Sequence, residues 1–196
     1  GFAAFTTAQF LGVTYQYYDI NMYRAFSLDL GLIGQVVVAG VFFGIVSDLF
    51  ITSVNKIETW MKKIPYNIYI KAFVAGCIMV IISYFLSENY LGLGLLSIRD
   101  ALSPNALISS NVHWYDFIFK TIFTSLTLGA GGSGGIITPV FYVGATSGAV
   151  FGDVLGHHVA LFAALGFVSV LAGTTNSPIA SIIMAVELFG VHMANY

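Results

Sequence analysis

Between Thr121 and Gly152 the chain has no charged side chain, and in the middle of that run stands LGAGGSGG at 128–135. A run of this length could in principle form one long helix. Each glycine costs about 1 kcal/mol relative to alanine in a helix interior, so five would cost about 4–5 kcal/mol before any gain from packing. Pro139 follows at once, with a preset φ and no N–H to donate, which suits the first turn of a new helix. The stretch therefore predicts a helix end, irregular backbone over Gly129–Gly135, and a fresh helix starting within about two residues of Ile136. A helix N-terminus presents unpaired N–H groups and a partial positive charge. At membrane depth it can hold an anion with no full positive charge nearby.

The rest of the chain supplies the membrane. Of its 196 residues 58% are hydrophobic and only 8% are charged, whereas a soluble domain carries about 25% charged residues. Such a chain cannot cover a water-facing surface, and the fold class expected is an all-α integral membrane protein. A net charge of −2 argues against a nucleic-acid partner. Cys77 is the single cysteine, so no internal disulfide is possible. No metal-ligand spacing is present, no cofactor is expected, and the favoured reading implies no enzyme chemistry. The chain opens at Gly1 in apolar sequence without a basic segment, so it does not read as a signal peptide. With little after the apolar Val186–Tyr196 either, it reads as part of a larger membrane protein.

Residues 1–29 are expected to hold a helix end and then an interfacial segment, because YQYYDINMYRAFSLD is rich in tyrosine. Residues 30–116 are expected to hold spanning helices and a connector. The first span runs from Gly31 to about Val54, with Gly40 and Gly44 spaced for close helix contact. A loop over 55–71 follows, carrying Lys56, Lys62, Lys63 and Lys71 against Glu58, and the positive-inside rule places it in the cytoplasm. Ile68–Leu86 is the second span, and 87–116 a mixed connector with short helices. Residues 117–196 are expected to form broken helices around a pore. Phe117–Leu128 and Ile136–Gly152 are each marginal for a full crossing, the second reaching only ~25 Å as a helix. Val154–Val186 is interrupted by GTTNSP, where Asn176 or Ser177 can cap and Pro178 can open the next helix. Interrupted apolar segments are tolerated inside protein or along a water-filled cavity, and they point to a transporter or channel site.

Other readings compete for the same residues. Gly131–Gly135 fits G-x-S-x-G, but a soluble hydrolase needs a strand and an α/β domain around it. GGSG at 131–134 also resembles the motif of rhomboid intramembrane serine proteases, with His157, His158 or His192 as the partner of Ser133. Against this stand Gly135 and Pro139, which interrupt the helix that should follow the serine. Glu187 and Asp153 read as residues near helix ends that reach water. Lys120 could add positive potential to an anion path, but a long side chain in this position is expected to snorkel to the interface.

The motifs taken together resemble the CLC family of chloride channels and anion/proton antiporters. GGIITPVFYVGATSGAVFG contains Gly135-Ile136-Ile137-Thr138-Pro139, similar to the family's GxFxP signature with Ile137 in place of phenylalanine. GTTNSPIASIIMAVELFG resembles the segment that follows it, and YLGLGLLSIRDAL the glycine-rich connector before the pore. TPVFYVGATSG and VELFG also look like the fluoride-exporting branch. The resemblance implies the C-terminal half of a CLC-type subunit, one of two inverted repeats, with the N-terminal half of the same subunit as its missing partner. The gating glutamate and the anion-contacting serine belong to that other half, and the anion-coordinating tyrosine lies beyond Tyr196. It further implies a homodimer in the cell (plasma) membrane, each subunit having its own pore, with chloride or another halide as substrate. Gly134, Gly135, Ile136, Ile137, Thr138 and Pro139 would form the anion site. The N–H groups of Ile136 and Ile137 would hold the ion, and the two glycines would keep side chains out of its way. The helix from Pro178 would meet the second subunit through Ala180, Ser181 and Ala185.

Overall fold

The computed structural model describes residues 7, 10–12, 30–86, 90–103, 106, 112–156 and 158–189. The expected interfacial segment at 15–29, together with His157 and His192, lies outside them. All regular structure in the described residues is helical. The helices are α1 (Leu30–Lys63), α2 (Ile68–Phe85), α3 (Leu95–Ala101), α4 (Asp116–Gly129), α5 (Ile137–Val154), α6 (Val159–Thr175) and α7 (Pro178–Phe189).

Among the described helices, α1 and α2 are long and apolar enough to cross a bilayer. The 34 residues of α1 span roughly 51 Å, well beyond a hydrocarbon core of about 30 Å. It therefore runs through most of the expected loop, and the link to α2 shrinks to residues 64–67. The physical reason lies in NKIETWMKK. Glu58 accepts from Lys62 at 2.6 Å one turn on, and Ile57 and Met61 pack with Ala75 and Ala130. A pair four residues apart plus an apolar stripe is enough to extend the helix.

The core sits where α5 and α6 pack against each other and against α1. Phe42, Phe43, Phe151 and Phe162 form one aromatic group across these three helices. Phe141 stacks on Phe167 with ring centroids 4.2 Å apart. The closest approach is made by glycine. A Cβ at Gly144 would lie 2.5 Å from the carbonyl oxygen of Gly166, and one at Gly148 would strike the backbone of Phe162 and Ala163. The two helices thus touch backbone to backbone, which only glycine permits. The pair expected to do this, Gly40 and Gly44, faces outward with nothing within 4 Å of either added Cβ.

Buried hydroxyls are settled locally. Thr121, Thr124 and Ser125 on α4 donate to the carbonyls of Phe117, Lys120 and Thr121, and Thr146 on α5 donates to Tyr142. Each bond lies within one helix turn, so these residues can sit in apolar surroundings at little cost. Asn176 does not cap α7. Its φ of 56° places it in the left-handed region as the C-cap of α6, and α7 opens directly on Pro178. Along α7 Ser181 is buried and donates to Ser177, so of the three small residues named for a subunit contact it already has a partner within the chain.

Candidate functional site

Helix α4 ends as its glycines require. Ala130 is the C-cap, and Gly131 follows with φ 88°. The Gly131 N–H donates to Leu128 and the Gly132 N–H to Thr127. This is a Schellman ending, in which the left-handed residue must be free of a Cβ penalty. Residues 132–135 then run irregularly to Ile136, and α5 begins at Ile137.

The start of α5 leaves donors open. Val140 is the first residue to bond back, to the carbonyl of Ile136. Pro139 has no N–H. The N–H groups of Ile136, Ile137 and Thr138 have no acceptor among the described residues, and no side chain caps the helix. The six residues singled out from the sequence thus share one short segment at the break. Five of the six, all but Thr138, line one or other of two clefts. One, about 270 Å³, is lined by Gly134, Gly135 and Pro139 together with Lys120, Thr124 and Gly92. The other, about 290 Å³, takes Ile136 and Ile137 together with Asn55, Thr174 and Thr175. Both hydroxyls of Thr174 and Thr175 donate back into α6, to Val170 and Leu171, so the lining of this second cleft is largely apolar.

Lys120 does not snorkel. Only 3% of it is exposed. Its Nζ donates to the carbonyl oxygens of Tyr90 at 3.2 Å and Gly92 at 2.5 Å, and lies 5.0 Å from the centroid of the Tyr142 ring. The Tyr90 and Gly92 carbonyls reach this face of α4 and replace the water the ammonium loses. One turn earlier, buried Asp116 accepts the Tyr90 hydroxyl at 2.5 Å and the His113 N–H at 2.7 Å. Burial first, and then the bond to this carboxylate, holds the Tyr90 phenol far above its ordinary pKa, so it stays a donor. The Tyr142 hydroxyl is fully buried and has no hydrogen-bond partner among the described residues. Sequence reasoning singled out Lys120 but missed its grouping with Asp116, Tyr90 and Tyr142. The one signal available was an Asp and a Lys four residues apart on the helix entering the break.

Ser133 lies on exposed irregular backbone rather than in a helix, and His158 is an exposed residue in the left-handed region ahead of α6. Glu187 and Asp153 are both exposed near the ends of their helices, as expected of them.

Apolar helices, with irregular backbone between α4 and α5 beside two clefts, define a helical membrane protein fold. The family model described as voltage gated chloride channel matches residues 1–195, and the chain belongs to that family. A chloride/fluoride channel protein of Pseudomonas syringae pv. tomato is 34% identical over 191 residues, covering 93% of this chain and 40% of that protein. An uncharacterized protein of Methanocaldococcus jannaschii is 32% identical over 160 residues, which is 80% of this chain and 39% of that one. A crystal structure of a CLC-type fluoride/proton antiporter superposes with a TM-score of 0.85 at 27% identity, over 97% of this chain and 47% of the other. The chain therefore spans less than half the length of these relatives. None of these relatives is named as a protease, and the rhomboid reading of GGSG has no support.

Proposed function

We propose that the protein of which this chain is a part carries small anions, chloride or fluoride, across the cell membrane, as a channel or an anion/proton antiporter. The observation that carries this reading is the set of free N–H groups on Ile136, Ile137 and Thr138, at a helix start inside uncharged sequence. A halide leaving water must recover much of its hydration from donors. Between Thr121 and Gly152 no cationic side chain can provide them, so backbone N–H groups and the helix dipole are the remaining source there. Backbone donors also suit transport, because a lysine in direct contact would hold the ion too tightly to release it. Gly134 and Gly135 leave room for the ion, and Pro139 fixes the first turn. The names of the relatives, chloride/fluoride channel and fluoride/proton antiporter, support the same substrate class. The other half of the subunit, a second copy in a homodimer, and a plasma-membrane location complete the proposal.

Ile136→Pro in the full-length protein removes one donor. Losing a hydrogen bond to a charged partner is worth about 1.5–3 kcal/mol, so halide affinity should fall about tenfold or more. Ile137→Phe keeps its backbone donor and should bind nearly as the parent does. Titration calorimetry with chloride and with fluoride compares the two. A folded Ile136→Pro variant that binds both halides as tightly as the parent would falsify the site.

A further inference from the structure

Among the described residues, the cleft of about 270 Å³ has one charged lining residue, Lys120, and Gly134, Gly135 and Pro139 at the start of α5 line it too. Asp116 and Lys120 stand four residues apart on α4, and both reach the same short segment. Asp116 accepts from the Tyr90 side chain, while Lys120 donates to the backbone of Tyr90 and Gly92. The segment they grip, Tyr90–Gly92, is itself a wall of the cleft. The other polar groups of that wall are already engaged. Thr124 donates to Lys120 O, and Thr127 to Phe123 O. No carboxylate lies within ion-pair distance of the Lys120 ammonium among the described residues.

We propose that Lys120 is a positioning residue for the anion path: with Asp116 it clamps Tyr90–Gly92 as a fixed wall of the cleft beside α5, and it occupies two carbonyl oxygens that would otherwise turn their negative ends toward a passing anion. The inference rests on the functional reading above. Its physics differs from direct ligation. The lysine is spent on carbonyls, so it shapes the potential of the cleft without binding the ion in contact. Remove it and the carbonyl of buried Tyr90 and that of Gly92 lose their donor, beside a helix start whose use depends on a positive field.

The test uses full-length protein in liposomes, with chloride- and fluoride-selective electrodes. Lys120→Met should raise the half-saturating halide concentration about tenfold or more, the scale of a lost charged hydrogen bond. Lys120→Arg keeps the charge and several donors, and should stay within about twofold of the parent. A folded Lys120→Met protein with the parent's half-saturation overturns the proposal, even if its melting temperature has fallen, because a purely structural lysine would give that result. Should Lys120→Met fail to assemble, Tyr90→Phe releases one arm of the clamp and leaves the lysine charge in place. Leu91→Cys, in a background with Cys77→Ser and any other cysteine replaced, should then react faster with a water-soluble maleimide, and half-saturation should rise. No change in either measurement overturns the clamp. Absence of transport by the parent protein would instead sink the functional reading, so the two failures are distinguishable.

Discussion

Two pairs of glycines with the same spacing lie on neighbouring helices. On α1, Gly40 and Gly44 open outward and meet nothing within 4 Å. On α5, Gly144 and Gly148 meet the backbone of α6 at distances no side chain could occupy. The local sequences, GVFFG and GATSG, are both uncharged, though the first is bulky and apolar and the second small and partly polar. Their neighbours differ. Ala145, Thr146, Ser147 and Ala149 are all buried, so α5 is enclosed through its middle, whereas Val38, Val41 and Ile45 stand mostly exposed around the α1 pair. A glycine spacing therefore permits close contact, and whether contact occurs depends on which helix the fold brings to that face.

The comparison can be broken most severely at Gly148. Gly148→Leu would drive a side chain into the Phe162–Ala163 backbone, which cannot yield as a flexible side chain would. The cost should exceed the ~1–3 kcal/mol usual for overpacking, and size-exclusion chromatography of the full-length protein should show loss of the assembled species. Gly144→Ala is milder. Its Cβ meets Gly166 O, and thermal unfolding in detergent should report a loss of about 1–3 kcal/mol. Gly44→Ala should act in the opposite direction. In an open helix interior it replaces a poor helix former with the best, a gain of up to about 1 kcal/mol in the same assay. A loss there would mean that another helix of the assembled protein seats on this face, and the contrast with α5 would vanish. The smallest effect belongs to Glu58→Gln, which removes the partly exposed pair with Lys62 on the far end of α1. That pair should contribute about 0.3–0.5 kcal/mol, falling as salt is added.

The orientation of these regions in the bilayer has its own test. A cysteine at Asn67, between α1 and α2, should resist labelling from outside intact cells if the lysine-rich end of α1 faces the cytoplasm. Ready labelling would invert the topology.

Much of the candidate site was legible because it depends on short-range backbone chemistry. The glycines of 129–135 and Pro139 act within a few residues of themselves, and α4 ends at Gly129 and α5 begins at Ile137. The α6–α7 break was legible through Pro178 for the same reason, although Asn176, two residues before it, plays another part. Of the two N-cap candidates, Asn176 instead closes α6 with a left-handed backbone, while Ser177 stands ahead of Pro178 and its carbonyl accepts the Ser181 N–H. The lysine-rich stretch was read as loop from its charge. The helix continued because Ile57 and Met61 found Ala75 and Ala130, residues well downstream.

By itself, then, the sequence determined a helical membrane chain broken at Gly129–Gly135, with free N–H groups at the start of the helix after it. Charge density and the conformational cost of glycine and proline are properties of the residues, and they hold in any surroundings. The tertiary structure decided which glycine pair closes, where α1 stops, and that Lys120 turns inward. Lys120 is held by carbonyls 30 and 28 residues away in sequence. A buried ammonium is tolerable only where such acceptors converge on it, and that convergence is a product of packing, which no local pattern encodes.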